Sequence, residues 1–525
     1  MTIMSHATMV RSSIIAAALI WILPTSNSYA SAGTPDGAFG INGLATFGRG
    51  TALHATDDDH GRLLISGVRA HSTIVVARTT ASGTLDGTFG ELGFYNREDQ
   101  LLFGVDYLEA KPLADGKLMV FNAGRPFCNS PSPGANSICN LNAGLLQVTR
   151  LLGAGTSDPT WMPAVHNAVR LDSPSAHRIS SGTFLISGTD GFPQRRAVIH
   201  ALSDQGSYAN ALPGLSRQAL NCPGTQGLTA TSLKSLTQPD GKTIVAQTLE
   251  PFQATAFSYR VCLSRMNSDG TVDPTFANSG HNTLLENEFT AYSSRIVALL
   301  VRPGGGFQLI LQHQLPLGDA LRPHFTISRY NSNGSLASRA DGGITGFTAL
   351  HVARVDVVAL QPDGKLLIAG LPWIRTTQTD LDHQRPVIGR LDANGSNDLS
   401  FGTNGTGSTA LISNGRRLMP KSIHLAHDGS IFVAGALDGA PTVDAEIMDP
   451  QMAVIKLQAD PPPAPPPPAQ SSGSGGGCGT LNGKGPVDPT LSLLAMLALL
   501  ALLSRHRLAN IRTQTRAFIS HPRSS

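Results

Sequence analysis

One phrase recurs along this chain of 525 residues at a long, nearly regular interval. It begins with a turn such as Gln361-Pro362-Asp363-Gly364-Lys365, passes through a short apolar run and Arg-Leu, and ends in Asp-x-x-Phe-Gly. The turn glycine recurs about every sixty residues, and repetition at such a period sets the architecture before any local feature does. The recurring glycines are Gly61, Gly116, Gly182, Gly241, Gly305, Gly364 and Gly429.

Each unit has the pattern of β structure. In the turn, proline presets φ, aspartate caps its own backbone, and glycine accepts a positive φ. Short strand-like runs flank the turn, as at residues 355–360 and 366–369, and no sustained helical period interrupts them. Many short strands at regular spacing favour an all-β array, which closes into a ring to protect its sheet edges.

The two ends of the array complement each other. The last unit stops at Lys456-Leu457 without an Asp-x-x-Phe-Gly segment, and an orphan copy of that segment lies at residues 36–40. We therefore expect residues 34–47 to pair beside the strand at 453–457. The sequence predicts a seven-bladed β-propeller over residues 31–458, closed by its N-terminal strand.

This phrase resembles the delta-60 repeat family, a bacterial repeat that forms β-propellers. The resemblance covers residues 34 to 457, with four well-preserved copies and three worn ones. It implies a propeller fold in an exported protein, and it brings no catalytic residues with it.

Composition excludes some functions. Charged residues make up 14% of the chain, the net charge is +3, and no basic run lies within the repeats. Nucleic acid is therefore not an expected partner. No pattern typical of a cofactor or metal site occurs; residues 57–60 (Asp-Asp-Asp-His) suit calcium but occupy the turn position. The histidine pairs His54/His60 and His424/His427 are expected on the surface.

The N-terminus has the features of a secretory signal peptide, residues 1–30. Arg11 precedes an apolar run at 14–23, Pro24 breaks it, and Ser28-Tyr29-Ala30 offers small residues for cleavage. A membrane anchor is the alternative, but the run is shorter than the roughly 20 residues that a spanning helix needs.

The C-terminus has a second targeting pattern. A Pro/Gly/Ser-rich linker at 459–477 joins a stiff proline segment to a flexible one. Residues 478–507 then contain a short hydrophobic helix at 491–503 and Arg505-His506-Arg507, which favours a cytoplasmic end. A tail with several arginines follows at 508–525.

Order and content together resemble bacterial sorting signals of the JDVT-CTERM type. The matching positions are Cys478, Gly479, Asp488, Pro489 and Thr490, although that type has valine where Pro489 stands and a shorter basic tail. The resemblance implies a sorting intramembrane protease as partner, transient inner-membrane association, and a propeller that is surface-attached or released after processing. The alternative is a plain tail anchor that is never cleaved.

The five cysteines divide into three groups. Cys128 and Cys139 share one long loop and are predicted to bridge each other, which an exported chain permits. Cys222 and Cys262 form a second possible bridge, with Cys262 as a small core residue the equal alternative. Cys478 is left over within the sorting segment.

Two classes of function stay open. The first is a noncatalytic binding or scaffold module for protein or glycan; the second is a propeller enzyme, a glycan hydrolase or lyase. No unrepeated carboxylate pair stands out, which favours the first. Recognition is expected on the loops 121–144, 371–386 and 436–452, with Phe127 and Trp373 as aromatic anchors.

Overall fold

A computed structural model gives the structure of this protein. Its described residues form strands and turns, and none of them forms a helix long and apolar enough to cross a membrane. The predicted signal peptide at 1–30 and everything from 461 onward lie outside the described residues. These are 32–58, 60–69, 72–98, 102–126, 145–161, 164–167, 170–178, 182–190, 196–205, 218–220, 222–223, 228–251, 259–284, 293–317, 320–342, 354–371, 385–403, 405–413, 415–438 and 450–460.

The strands form seven antiparallel sheets, which are the blades of a β-propeller. In chain order they are β1 Leu44–Arg49; β2 Thr51–Asp57, β3 Leu63–Arg69, β4 Thr73–Arg78, β5 Phe94–Glu98; β6 Leu102–Pro112, β7 Leu118–Pro126, β8 Leu145–Leu151, β9 Ala164–Asn167; β10 Arg170–Arg178, β11 Thr183–Asp190, β12 Arg196–Ser203, β13 Gln218–Ala219; β14 Leu228–Thr237, β15 Thr243–Pro251, β16 Arg260–Met266, β17 His281–Leu284; β18 Ser293–Val301, β19 Phe307–Leu317, β20 Ala320–Tyr330, β21 Leu336–Gly342; β22 Arg354–Leu360, β23 Leu366–Leu371, β24 Val387–Leu391, β25 Ser408–Ala410; β26 Ile412–Ser413, β27 Arg416–Leu425, β28 Ile431–Leu437, β29 Gln451–Leu457.

Each of the first six blades runs outward from its first strand, so that β2, β6, β10, β14, β18 and β22 are innermost. In the last blade β27 takes that place. These seven strands contact one another in a closed cycle and encircle the propeller axis. The predicted all-β, seven-bladed fold is therefore confirmed.

The first strand of the propeller closes the ring. β1 pairs antiparallel with β29, placing Leu44 opposite Ile455 and Thr46 opposite Ala453. Pro35 adds a bridge to Leu457. The seventh blade is thus built from both ends of the domain, as the complementary halves of the repeat predict.

The core lies between adjacent blades. One buried cluster joins Ile244 and Phe276 of the fourth blade to Phe307 and Leu309 of the fifth, and a similar cluster joins the sixth and seventh. Because a four-stranded sheet buries both faces only against neighbours, each blade depends on the next for its stability.

An arginine, an aspartate and an aromatic ring tie one blade to the next; we call this unit the strut. In the fourth blade Arg265 Nε donates to Asp273 Oδ2 at 2.8 Å, and its guanidinium lies 4.9 Å from the centroid of the Phe276 ring. Arg265 also donates to the carbonyl of Ser332 in the fifth blade. Lys242 of the Pro-Asp-Gly-Lys turn reaches the same Asp273 oxygen at 2.8 Å, which explains the lysine in the repeated phrase.

Other blades repeat the strut with little change. The sets are Arg78, Asp86 and Phe89; Arg150, Asp158 and Trp161; and Arg390, Asp398 and Phe401. In the closing blade Lys456 pairs with Asp36 at 3.0 Å, so that the N-terminal segment supplies the acid which the seventh unit lacks. Burial alone would raise the pKa of Asp273, but its hydrogen bonds and the charge of Arg265 lower it well below the usual range.

The strut also explains the second glycine of the repeat. Gly334, in the turn of the fifth blade, has φ +85° and packs on the ring of Phe276; a Cβ there would lie 2.6 Å from that ring. The same contact recurs between Gly155 and Phe89. These turns therefore exclude side chains for reasons of both backbone conformation and space.

We expect Gly334→Ala to lower the free energy of unfolding by about 1–3 kcal/mol, because it adds left-handed strain and a steric overlap. Urea denaturation measures the change. Gly87→Ala is the matched control: Gly87 has no positive φ and no atom within 4 Å of an added Cβ. Equal losses in both variants would contradict the packing argument.

Candidate functional site

The innermost strands carry side chains that differ from one repeat to the next. The inner-strand position seven residues before the turn glycine has a different residue type in nearly every blade. The set is His54, Glu109, Ser175, Lys234, Ala298, Val357 and Ser422. Structural positions repeat in this molecule, as the struts show, so unrepeated polar groups at the axis mark the candidate site.

Glu109 lies at the centre of a cluster to which three blades contribute, which we call the Glu109 cluster. Lys111 Nζ lies 2.6 Å from Glu109 Oε1, and His54 Nε2 of the first blade lies 3.3 Å from the same oxygen. The Tyr107 hydroxyl donates to Oε2 and accepts a 3.2 Å hydrogen bond from the backbone N–H of Ala176 in the third blade.

Electrostatics keep Glu109 ionised. Burial alone would raise its pKa, but Lys111, His54 and the Tyr107 hydroxyl outweigh burial and lower the pKa from 4.5 to about 2. Burial, followed by the charge of Glu109, raises the pKa of Tyr107 well above 10. At neutral pH the pair is therefore a carboxylate beside a neutral phenol, which can accept and orient hydrogen bonds but cannot supply an acidic proton.

The predicted surface position of His424 is wrong, whereas His54 keeps 34% of its side chain exposed. Both belong to inner strands, where adjacent blades approach closely. His424 is only 17% exposed, and its Nε2 lies 2.9 Å from Asp57 Oδ1. Among the described residues, His54 Nδ1 has no hydrogen-bond partner. Burial is the main cause that lowers the pKa of each ring, and both rings are mostly neutral at pH 7.

Two further basic side chains lie on the inner strands of the third and fourth blades. Burial lowers the pKa of His177 to about 4, with Lys111 adding to the shift. Burial, and then the charge of Arg295, lowers the pKa of Lys234 to about 8. Lys234 and His177 keep part of their surface accessible although protein surrounds them, as expected of side chains that face an axial channel.

Cys222 and Cys262 form a disulfide, which decides between the two alternatives left by the sequence. Gln247 Nε2 donates to Cys222 Sγ at 2.9 Å. His281 lies close enough for its ring nitrogen and both sulfurs to fall within 4.8 Å of one another, a spacing that suits a metal ion. With the sulfurs joined, the thiolates that a metal needs are absent, and the group is structural.

The predicted functional residues lie outside the described residues. They are Cys128 and Cys139 (disulfide), Phe127 and Trp373 (loop anchors), and Cys478, Gly479, Asp488, Pro489 and Thr490 (sorting). The described ends of the three recognition loops join the second strand to the third in blades two, six and seven. The three loops therefore leave equivalent positions of their blades.

The Glu109 cluster has only a weak signal in the sequence. Glu109-x-Lys111 occupies inner-strand positions where sister units have Val357 and Ala359. Aligning the units on their turn glycines exposes this difference. The contact of Glu109 with His54, in the preceding unit, could not be found in this way, because it arises from the packing of adjacent blades.

The comparisons with known proteins agree with the fold. Residues 361–401 match the family described as a domain of unknown function (DUF5122) beta-propeller. None of the curated proteins matches the chain.

Solved structures similar to this chain match it at low identity and low TM-score. An α-L-arabinofuranosidase, Arb93A from Fusarium graminearum, is 12% identical with a TM-score of 0.37 over 69% of this chain and 94% of that one. An α-L-arabinanase from Penicillium chrysogenum is 10% identical with a TM-score of 0.39 over 68% and 93%. A eukaryotic initiation factor is 11% identical with a TM-score of 0.33 over 78% and 91%. Such low similarity carries no argument about substrate.

We expect Glu109→Gln to lower the free energy of unfolding near neutral pH by about 3 kcal/mol, because Lys111 loses its buried partner. The folded-state pKa of Glu109 is depressed, so this stabilisation is present above pH 4.5 and is lost as the pH falls from there through about 2. Denaturant titrations across this range should show the gap between wild type and variant closing. The exposed Glu91→Gln serves as control; a gap independent of pH would contradict the assignment.

Proposed function

We propose that this protein is an exported delta-60 repeat propeller of the cell envelope that binds its ligand without catalysis, and that the ligand is a glycan engaged at the axis. The observation that supports it is the unrepeated Glu109 cluster within a repeated frame. Carboxylate, ammonium, imidazole and phenol groups of several blades converge there, and such groups suit the hydroxyls of a sugar.

Binding is favoured over hydrolysis by the protonation state of the cluster. A glycosidase of the common two-carboxylate kind needs one protonated acid, and its pKa is raised for that purpose. The pKa of Glu109 is instead lowered to about 2. A fixed carboxylate held by Lys111 and Tyr107 positions a ligand better than it protonates a leaving group.

A glycan hydrolase or lyase is the second candidate. The Tyr107–Glu109 contact favours it, because some glycosidases use a tyrosine nucleophile beside a carboxylate. In that case Glu109 would withdraw the phenol proton, against the raised pKa of Tyr107.

A glycan array probed with the purified mature protein distinguishes the candidates. We expect retention of one glycan class, no release of sugar on prolonged incubation, and loss of binding in Glu109→Gln, with Glu91→Gln unchanged. Released sugar that disappears in Tyr107→Phe would establish the enzyme. Binding of a protein partner alone, with no glycan retained, would contradict the glycan proposal.

We further propose that the chain is exported by residues 1–30, paused in the inner membrane by 491–503, and cut near Cys478 by an intramembrane protease. The supporting feature is the order of spacer, thiol, short apolar run and basic stop. A run of 13 residues suits a temporary hold, since a permanent span is normally longer.

Mass spectrometry of the surface form should find no peptides from residues 513–525. Cys478→Ala should leave an unprocessed form in the inner membrane, whereas Ser474→Ala in the same linker should not. A surface form that retains 513–525 would refute processing and favour the plain tail anchor.

A further inference from the structure

Two cations near the axis have no compensating charge. Two ion pairs lie on the described inner strands beside them: Lys111 with Glu109 at 2.6 Å, and Arg354 with Asp356 at 3.0 Å. The ammonium of Lys234, on β14, has no hydrogen-bond or ion-pair partner among the described residues. Arg295, on β18, donates to neutral acceptors only.

The contacts of Arg295 show this directly. Its guanidinium donates to Gln312 Oε1 at 2.7 and 3.1 Å and to the carbonyl of Val355 at 2.6 Å. These bonds hold the guanidinium in place between the fifth and sixth blades without neutralising it. Asp356 is the acid within electrostatic reach, and it forms its ion pair with Arg354.

Lys234 and Arg295 lie close enough to repel each other. Lys234 belongs to the fourth blade and Arg295 to the fifth, and Ile296 N–H, next to Arg295, donates to Ser232 Oγ on β14 at 3.2 Å. The charge of Arg295 also contributes to the lowered pKa of Lys234. Glu109 is also within reach of Lys234, but its oxygens are already taken by Lys111, His54 and Tyr107. Arg295 is exposed and Lys234 half-buried, so an anion from solvent can reach both and offset their repulsion.

His177 contributes from the third blade. Its Nε2 is buried and has no hydrogen-bond partner in the part of the chain that the structure describes. The backbone of Ser235, next to Lys234 in sequence, contacts the ring and so brings it toward the lysine. An unsatisfied buried nitrogen beside two uncompensated cations indicates that a polar group is received there.

We propose that Lys234, Arg295 and His177 form an anion-binding site near the propeller axis, which takes a carboxylate or phosphate group on a small ligand. An ammonium and a guanidinium supply charge-assisted hydrogen bonds to such a group. The neutral imidazole donates to the Ser235 backbone, which leaves Nε2 to accept a hydrogen bond from a hydroxyl of the same ligand. The ligand class deepens the proposed function by indicating an acidic glycan, but the site itself does not depend on the ligand being a sugar.

The test uses the purified mature protein, with inorganic phosphate, glucuronate and, as neutral probe, glucose. Isothermal titration and thermal denaturation are expected to show binding of glucuronate or phosphate and none of glucose at matched concentrations. Lys234→Met should weaken anion binding at least about tenfold, the scale of one charge-assisted hydrogen bond. Without ligand it should unfold at the same or a higher temperature, because repulsion from Arg295 is gone.

Lys421→Met is the matched control. Lys421 lies on the inner strand of the seventh blade, is exposed, and should leave binding unchanged. If Lys234→Met does not fold, Arg295→Gln provides the second variant with the same expected loss. No binding of either anion, or equal binding by wild type and both variants, would overturn the site.

The outcomes separate the two proposals. Phosphate binding that depends on Lys234, with no glycan retained on the array, would keep the anion site and remove the glycan function. A neutral glycan bound equally by wild type and Lys234→Met would keep the glycan function and remove the anion site.

Discussion

The strut is the interaction on which the rest of the molecule depends. A single four-stranded sheet has two faces to bury and no means of fixing its angle to a neighbour. Arg265 solves both problems at once, because its guanidinium covers the Phe276 ring, pairs with Asp273 and donates to the backbone of the next blade. A buried ion pair contributes little net stability, but its geometry admits few alternatives, and repeated blades need that specificity.

Because the strut fixes the frame, the inner strands are free to differ. The position held by Glu109 in the second blade is Lys234 in the fourth and Val357 in the sixth, with no change in strand order. The strut contacts lie between the blades, whereas the side chains that vary from blade to blade lie at the axis. Because the strand order does not depend on which side chain stands there, one scaffold can carry different chemistry at its axis.

The blades and the closure of the ring could be predicted from the sequence, because each rests on residues that are close in sequence or repeated in every unit. The turn glycines and the orphan segment at 36–40 are visible in the sequence, and together they predict the blades and the closure of the ring. The residues of the strut also recur in the sequence, but their contacts became clear only in the structure. The axial groups are neither local nor repeated. His54 meets Glu109 only because adjacent blades lie side by side, so inner-strand histidines resembled surface residues. The pairing of Cys222 with Cys262 depended in the same way on the close approach of two segments, which spacing alone could not decide.

Closure of the ring by β1 affects the order in which the protein folds during synthesis. The strand that completes the seventh blade is near the beginning of the chain, and its partner β29 is at the end of the domain. Until β29 has been synthesised, β1 has no partner and the ring stays open at one blade. Both edges then present unpaired backbone groups, a state prone to pairing with other chains. The propeller is thus completed last at its seam, and the rate at which the final blade is delivered sets how long the incomplete ring stays exposed to association.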